Sequence, residues 1–190
     1  RVINNGIDLD TFRPIQSDFR KKYQIENKFI ILGVASSWAP RKGLDVFVKL
    51  AEDLPEEYQI VIVGIDEREK NKLPETIISI TRTNNQKELA EIYSVADVFV
   101  NPTREENFPT TNIEALACGT GVITYRTGGS PEIIDQETGV VVEKDNYDEL
   151  KQAIFKVKKD GTFSKEKCRN RSMKYSRDER YKEYVELFES

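Results

Sequence analysis

Short apolar runs alternate with helical patterns along most of the chain, and this alternation constrains the fold more than any other feature. The apolar runs are continuous and rich in β-branched residues, which is typical of strands buried on both faces of a sheet. The predicted strands are 28–35, 58–64, 77–81, 96–101, 122–124 and 139–142. The predicted helices are 42–53, 85–94, a segment starting near 110, and the tail from 147 onward. Because the connections are short, this order predicts an α/β fold, with helices covering both faces of a parallel sheet.

Composition excludes several classes of protein. The 190 residues suffice for one substantial core, and a formal net charge of -4 gives no basic surface for nucleic acid. The sequence contains no His, which removes the commonest acid-base side chain and the commonest metal ligand. No apolar run approaches the roughly 20 residues that a membrane span needs. Cys118 and Cys168 are isolated and lack metal-type spacing, so we predict a reduced, cytoplasmic setting.

Three polar segments follow predicted strands and are therefore expected to meet at one edge of the sheet. They are 36–43, 101–112 and 125–130. In parallel sheets of this kind, ligands bind outside the carboxyl ends of the strands, where the chain turns into helices. We therefore expect the binding site to be built from these segments.

The first segment, A-S-S-W-A-P-R-K-G at 35–43, places Arg41 and Lys42 next to Pro40, at the expected start of a helix. Cations there are unfavourable beside the positive end of the helix dipole. A bound anion removes the conflict, because the cations and the free helix N–H groups together form a phosphate site. The alternative is a pair of solvated surface charges. The segment is neither a Walker loop nor a dinucleotide fingerprint, since both glycine spacings are missing.

The second segment, E-N-F-P-T-T-N-I-E-A-L-A-C-G-T-G at 106–121, has carboxylates on either side of an expected helix start. Residues 110–112 offer N–H, hydroxyl and amide donors to an anion. An ionised Glu accepts two hydrogen bonds from the vicinal diol of a ribose or a hexose. Glu106 and Glu114 are therefore predicted to bind sugars on either side of the phosphates. The alternative is structural: Thr111 and Glu114 form a capping box, and Glu106 is a solvated loop residue.

The third segment, T-G-G-S-P-E at 127–132, is predicted to turn into a helix, with Ser130 as N-cap and Pro131 as the first helical residue. Two interpretations of the glycine pair stay open. Gly128 and Gly129 form a plain tight turn, or they let the backbone approach a ligand closely.

Taken together, these segments resemble a known family. E-N-F-P-T-T-N-I-E-A-L-A-C-G-T-G-V-I at 106–123 matches the Glu-x7-Glu signature of retaining, nucleotide-sugar-dependent glycosyltransferases with the GT-B fold. The match extends over nearly the whole chain through N-N-G-I-D-L-D-T-F-R-P, R-K-G-L-D, I-Y-S-V-A-D-V-F-V-N-P-T and T-G-G-S-P-E-I-I. The sequence is most similar to the C-terminal, donor-binding domain of the glycogen-synthase-like bacterial group, family 4. The resemblance implies a Rossmann-like fold that forms one half of a GT-B architecture.

The resemblance also implies a role for each matching residue. Glu106 would bind hydroxyls of the donor sugar near the reacting carbon, and Glu114 would hold the ribose. The backbone of 108–112 would bind the diphosphate with help from Lys42, and the base would lie near the loop after 77–81. The predicted catalytic residues are Glu106, Lys42 and Arg41. The predicted donor-binding residues are Glu114, Asn107, Phe108, Pro109, Thr110, Thr111, Asn112, Ser37, Arg82 and Thr83.

The sequence departs from the family pattern in a few places. Ser36 and Ser37 stand where the family usually has Gly-Arg, so we expect Arg41 to supply the missing cation. Asn107 stands where Gly is common, and Gly121 where Pro is common. These differences leave the fold prediction intact and bear on the choice of sugar and on the phosphate geometry.

The predicted organisation has three parts. Residues 1–14 form a strand end and an interdomain linker, 15–175 the nucleotide-sugar-binding domain, and 176–190 a C-terminal helix. The apolar stripe of that helix is expected to pack toward an N-terminal domain outside this chain or, alternatively, into the ordinary core. The chain begins without Met and ends within a helical pattern, which favours a part of a longer protein.

The predicted reaction transfers a sugar from a nucleotide diphosphate sugar to an acceptor hydroxyl with retention, in bacterial polysaccharide or glycoconjugate synthesis. The acceptor, a glycan or lipid-linked glycan, would bind mainly to the absent domain, so this chain alone is expected to be inactive. No cofactor, metal or nucleic acid is expected, and peripheral membrane association of the full-length protein stays open. The alternatives are a nucleotide-sugar epimerase, which lacks the Glu-x7-Glu run, and a non-enzymatic nucleotide-binding module, which needs no acid facing the sugar.

Overall fold

Six parallel strands form the central sheet of the computed structural model, which describes residues 3–161 and 163–189. The strands are β1 (Phe29–Val34), β2 (Tyr58–Val63), β3 (Ile78–Ile80), β4 (Val98–Asn101), β5 (Val122–Tyr125) and β6 (Gly139–Val142). The helices are α1 (Phe19–Lys22), α2 (Leu44–Asp53), α3 (Glu67–Lys70), α4 (Gln86–Val95), α5 (Thr110–Ala117), α6 (Ser130–Ile133), α7 (Tyr147–Asp160), α8 (Lys165–Ser172) and α9 (Arg177–Glu189). Short 3-10 turns span Pro40–Lys42 and Met173–Tyr175. Arg1 and Val2 of the strand end and linker predicted at 1–14, and Ser190 of the predicted tail helix, lie outside the described residues.

The strand order is β3-β2-β1-β4-β5-β6, so the chain builds one half of the sheet outward from β1 and the other half outward from β4. This is the doubly wound Rossmann order, in which the crevice at the reversal point is where ligands bind. Here the reversal lies between β1 and β4, which pair through Ile31 with Val98 and Leu32 with Phe99. The predicted α/β fold, a parallel sheet covered on both faces, is confirmed.

Two apolar layers cover the sheet because successive strand side chains point to opposite faces. In β1, Ile30 and Leu32 pack with the buried residues of α4 and α5. Phe29 and Ile31 pack on the other face with those of α2 and α7. This explains the continuous apolar runs in the sequence, since a strand covered on both sides leaves no polar face. Each predicted strand lies within two residues of the observed bounds.

The start of the helix predicted at 42–53 is wrong. Pro40–Lys42 is a 3-10 turn, and α2 begins only at Leu44. Gly43 separates the two with a left-handed φ of 77°, and a Cβ there would lie 2.5 Å from the carbonyl oxygen of Pro102. Arg41 and Lys42 therefore do not occupy the first turn of an α-helix, and the dipole argument for an anion at that helix does not apply to them.

The start of α6 also differs from the prediction. Gly129, not Ser130, is the N-cap, and Ser130 is the first helical residue. Ser130 is fully buried, and its hydroxyl oxygen has no hydrogen-bond partner. The helix is only four residues long, so a side-chain cap contributes little to it.

The C-terminal helix leaves its apolar stripe exposed. Phe188 is 86% exposed and Tyr181 60% exposed, and Tyr184 and Val185 are also exposed. The alternative that this stripe packs into the ordinary core is therefore wrong for this chain. Within residues 3–161 and 163–189, no helix is long and apolar enough to cross a lipid bilayer.

Candidate functional site

A cavity of about 640 Å³ opens at the carboxyl edge of the sheet, beside the reversal point between β1 and β4. We call it the rim cavity. Its walls are Asn5, Val34, Ala35, Ser36, Lys42, Val63, Gly64, Thr81, Arg82, Thr83, Leu89, Asn101, Glu106, Phe108, Pro109, Thr110, Thr111 and Glu114. Most of the predicted site residues thus line one space. The predicted residues absent from its walls are Arg41, Ser37, Asn107 and Asn112.

The cation of the first segment and the acid of the second meet in this cavity. The Nζ atom of Lys42 lies 2.9 Å from Oε2 of Glu106, and both side chains are mostly buried. The other carboxylate oxygen of Glu106 accepts a hydrogen bond from the backbone N–H of Asn107 at 3.0 Å. Glu106 is therefore an ion-paired, mostly buried residue and not a solvated loop residue.

Arg41 does not take the place of the arginine that the family usually has in the Gly-Arg pair, where this chain has Ser36 and Ser37. Its guanidinium donates to the carbonyl oxygen of Glu105 at 3.2 Å, in an exposed contact outside the cavity walls. Of the two serines, Ser36 lines the cavity and Ser37 does not. The cationic side chains that line the cavity are those of Lys42 and Arg82.

Helix α5 points its N-terminus into the cavity. It begins at Thr110, with Pro109 as N-cap, and no side chain caps it. The first N–H groups of an uncapped helix are free to bind an anion, and the helix dipole favours negative charge there. The walls of the cavity include Pro109, Thr110 and Thr111. The predicted anion-binding element therefore has the geometry that such a role requires.

The capping box predicted as the alternative for Glu114 is wrong. Thr111 is the second residue of α5 rather than its cap, so Glu114 lies beyond the first turn. The Oε2 atom of Glu114 instead accepts a hydrogen bond from the hydroxyl of Tyr93 at 3.0 Å. Burial raises the pKa of the Glu114 carboxyl, while hydrogen bonds from Tyr93 and Thr110 act in the opposite direction.

Asn112 was expected to present its amide to a ligand, but its side chain is fully buried behind the cavity. Its Oδ1 accepts a hydrogen bond from Nδ2 of Asn101 at 2.8 Å, and the hydroxyl of Thr103 donates to Oδ1 of Asn101 at 2.5 Å. The hydroxyl of Thr127 donates to the carbonyl oxygen of Thr103 at 2.8 Å. This network joins the end of β4, the start of α5 and the loop after β5. Asn112 therefore supports the cavity wall instead of forming it.

The glycine pair in the third segment accommodates the loop that carries Glu106. Gly128 has a left-handed φ of 47°, and a Cβ there would lie 1.8 Å from the carbonyl oxygen of Glu106. The N–H of Gly129 donates to the carbonyl oxygen of Asn107 at 2.6 Å. The glycine pair therefore lets the backbone approach the loop that carries Glu106. Neither interpretation of the pair, a plain tight turn or close approach to a ligand, predicted this contact.

Arg104 is a residue that the sequence argument missed. Its guanidinium binds both carboxylate oxygens of Asp45, at 2.8 and 2.7 Å, and Oδ1 of Asp145 at 2.6 Å. Its backbone N–H donates to the carbonyl oxygen of Arg41 at 2.7 Å. Arg104 therefore fastens the turn that carries Lys42 to the loop that carries Glu106. In the sequence, the indication of this contact was Asp45 of R-K-G-L-D, an acid for which the sequence pattern gives no partner.

No group of three or more Cys, Asp or Glu side chains suited to a metal ion occurs in the part of the chain that the structure describes. The residues that carry charge into the rim cavity are Lys42, Arg82, Glu106 and Glu114. The rim cavity therefore combines two cations and the free N–H groups of α5 with two acids. It suits an elongated ligand that carries an anionic centre between two hydroxyl-bearing ends.

Comparison with protein families decides the assignment. Residues 15–178 match the family described as glycosyl transferases group 1. The chain belongs to this family. Among curated relatives, the D-inositol 3-phosphate glycosyltransferase of Mycobacteroides abscessus is 27% identical over 180 residues, which cover 86% of this chain and 40% of that protein. The chain spans 35% to 49% of the length of the curated relatives it matches.

Solved structures show the same architecture for this group 1 chain. Sucrose-phosphate synthase from Thermosynechococcus elongatus is 25% identical with a TM-score of 0.85, and the match covers 100% of this chain and 52% of that one. HepE from Anabaena, in complex with UDP-glucose, is 18% identical with a TM-score of 0.85, over 100% of this chain and 57% of that one. The Rossmann-like fold expected for half of a GT-B architecture is therefore confirmed.

In this group 1 chain, the glycine at 121 has a physical explanation. A Cβ at Gly121 would lie 2.0 Å from the ring of Phe163, which follows α7 and packs where a larger residue would project. A proline ring at this position would collide with that aromatic side chain. The departure from the family pattern is thus compensated by a ring from another part of the chain.

Proposed function

We propose that this chain is the donor-binding half of a retaining glycosyltransferase, which transfers a sugar from a nucleotide diphosphate sugar to an acceptor hydroxyl. The observation that carries the proposal is the ion pair of Lys42 with Glu106 at the uncapped N-terminus of α5, in the same cavity as Glu114. The proposed diphosphate position is against Lys42 and the N–H groups of α5, which line the same cavity as both acids. Membership of the group 1 family supports this assignment.

The proposed ligand pose assigns each acid to a different sugar. Glu106 binds hydroxyls of the transferred sugar, and Glu114 binds the ribose diol. Lys42 and the N–H groups of Thr110 and Thr111 bind the diphosphate. The base lies beside Arg82 and Thr83 at the end of β3. The Anabaena structure with the same fold holds UDP-glucose, which supports a nucleotide-sugar ligand.

In the proposed reaction, the bond between the anomeric carbon and the diphosphate oxygen breaks, and the bonding electron pair leaves with the diphosphate. The acceptor oxygen bonds to the same face of that carbon, and its proton passes to the departing diphosphate. Lys42 and the α5 N-terminus stabilise the developing negative charge, which is the term that usually contributes most in such sites. We propose that these groups, and not a metal ion, perform this task.

The acceptor is proposed to be a glycan or lipid-linked glycan of bacterial polysaccharide synthesis, bound mainly by an N-terminal domain outside this chain. The curated relatives, which are about twice as long as this chain or longer, support a second domain in the complete protein. On this proposal the isolated chain binds the donor and transfers no sugar.

The proposal is tested by thermal unfolding of the chain with uridine, guanosine, adenosine and cytidine diphosphates and their sugars, without divalent metal. We expect one diphosphate to raise the melting temperature, since a ligand at 100 times its Kd adds about 2.7 kcal/mol to folded-state stability. The absence of a shift with every nucleotide, or a shift that requires magnesium, contradicts the proposal.

A further inference from the structure

We propose that Tyr93 is a positioning residue for Glu114: its hydroxyl holds one carboxylate oxygen and so orients the carboxylate toward the ribose diol. This inference rests on the proposed function, because it concerns how the nucleoside end of the ligand is recognised. It goes further in assigning recognition of the diol to a fixed pair of side chains from two helices.

Tyr93 is held rigidly. The side chain is completely buried in α4, and its ring packs edge-on against Phe99 at 5.5 Å and Phe12 at 6.3 Å between centroids. Its carbonyl oxygen accepts a hydrogen bond from the hydroxyl of Thr120 at 2.5 Å. With the ring and the backbone both fixed, the hydroxyl has one position, and it lies 3.0 Å from Oε2 of Glu114.

Glu114 takes its hydrogen bonds from neutral hydroxyls. Among the ion pairs of the described residues, none involves Glu114, and its carboxylate is contacted by the hydroxyls of Tyr93 and Thr110. A carboxylate has about four acceptor positions, so two donors leave room for a ligand with two adjacent hydroxyls. Because a lone carboxylate rotates freely about its last bond, the fixed Tyr93 hydroxyl also sets the direction in which Oε1 faces the cavity.

The same contact opposes the effect of burial on Glu114. Burial raises the pKa of Glu114, and the hydrogen bond from Tyr93 acts in the opposite direction. Burial also raises the pKa of the Tyr93 hydroxyl well above its usual value, so Tyr93 remains a donor throughout the working pH range. The other titratable groups near Glu114 are Cys118, one turn further along α5, and Lys42, Glu106 and Arg82, which line the same cavity.

The direct test is Tyr93→Phe, which removes one oxygen and keeps the packed ring. Affinity is measured by calorimetry for the nucleoside diphosphate that stabilises the wild-type chain and for its 2′,3′-dideoxy analogue, between pH 5.5 and 8. We expect about tenfold weaker binding of the diol ligand at neutral pH, the usual effect of losing a hydrogen bond to a charged group. The dideoxy analogue should bind both proteins equally.

The pH profile gives a readout that a purely structural role would not change. Binding of the diol needs ionised Glu114, so affinity falls as the pH drops through the pKa of that group. Tyr93→Phe removes a contact that lowers this pKa, so its affinity should fall at a higher pH than that of the wild type. Thr110→Val removes the second hydroxyl and should move the profile in the same direction, which keeps the test available if Tyr93→Phe unfolds.

Tyr147→Phe is the matched control, because the Tyr147 hydroxyl donates to the carboxylate of Asp53 at 2.8 Å, outside the rim cavity. Tyr147→Phe should leave the affinities for the diol ligand and for the dideoxy analogue unchanged. Equal weakening of both ligands by Tyr93→Phe, or an unchanged pH profile in Tyr93→Phe and Thr110→Val, overturns the role of Tyr93. Glu114→Gln distinguishes a failure of this inference from a failure of the proposed function. If Glu114→Gln also leaves the affinity for the diol ligand unchanged, the proposed ribose site is wrong together with the role of Tyr93.

Discussion

The Nζ atom of Lys42 and the Oε2 atom of Glu106 are 2.9 Å apart, although they belong to loops that follow different strands of the sheet. One loop follows β1 and the other follows β4, so this contact bridges the point where the strand order reverses. A ligand whose phosphates reach Lys42 therefore also lies within range of Glu106. Because the two side chains are in direct contact, a substitution at either one also changes the surroundings of the other.

The two acids should affect different ligands. Glu114→Gln should weaken nucleoside diphosphate and nucleotide sugar alike by about tenfold or more, because the ribose is present in both. Glu106→Gln should leave the nucleoside diphosphate nearly unchanged and weaken only the nucleotide sugar. Calorimetric titration of both variants with both ligands provides the measurement. Equal and small effects on all four combinations would show that neither acid contacts the ligand.

Lys42→Met should weaken binding of the nucleoside diphosphate by about tenfold, because a charge-assisted contact to phosphate is lost. Arg41→Met is the matched control, since Arg41 is the adjacent cation but lies outside the cavity walls. As an exposed substitution it should change affinity by no more than about twofold. Equal losses in the two variants would contradict the assignment of the diphosphate to Lys42.

Arg104→Met should weaken donor binding indirectly, by loosening the turn that carries Lys42 from the loop that carries Glu106. The direct electrostatic loss is small, about 1 kcal/mol or less, because Asp45 is well exposed. The hydrogen bond and charge of Arg104 lower the pKa of Asp45, so this stabilisation exists above the usual carboxyl range and is lost as the pH falls through the lowered value.

The Arg104 prediction is checked by unfolding in denaturant as a function of pH, with Asp45→Asn as the paired variant. The double variant should lose less than the sum of the two single losses, since both remove the same contact. Strict additivity, or a difference between wild type and Arg104→Met that does not shrink at acid pH, would count against the coupling.

Gly128→Ala should displace the Glu106 loop, because the added Cβ would lie 1.8 Å from the carbonyl oxygen of Glu106. We expect a loss of about 1–3 kcal/mol in stability and weaker binding of the nucleotide sugar. Gly161→Ala is the control, since Gly161 also has a left-handed φ but no atom within 4 Å of its Cβ position. Gly161→Ala introduces backbone strain without a steric clash, so it should leave ligand affinity unchanged. Equal ligand affinities in Gly128→Ala and Gly161→Ala would show that the Glu106 loop is not displaced.

The fold was predictable because its signal is local. Apolar runs such as 58–64 are as long as a strand, and their β-branched composition reflects a sheet covered on both faces. The boundaries were less predictable where glycine intervenes. At Gly43, a left-handed residue packed against Pro102 stops the 3-10 turn and starts α2, and helical periodicity does not record that contact.

The site was predictable in part for a similar reason. Lys42, Glu106 and Glu114 lie in the segments that follow strands β1 and β4, so the sheet topology brings these segments to the same edge. Arg104 and Tyr93 act through partners 59 and 21 positions away in the sequence. Such contacts depend on three-dimensional packing, and no spacing rule in a single sequence reveals them. The capping-box interpretation was wrong because α5 begins at Thr110, two residues earlier than a box capped by Thr111 requires.

The loop that carries Glu106 is braced by main-chain atoms. Gly128 packs on one of its carbonyl groups, Gly129 donates an N–H to another, and the main chains of Arg104 and Arg41 are joined by a hydrogen bond. A brace of this kind does not depend on the identity of the neighbouring side chains. The side chain of Asn107 is not part of this brace, so residue 107 can change during evolution while Glu106 keeps its position. We expect group 1 proteins with this brace to tolerate side-chain changes in this loop without rebuilding its backbone.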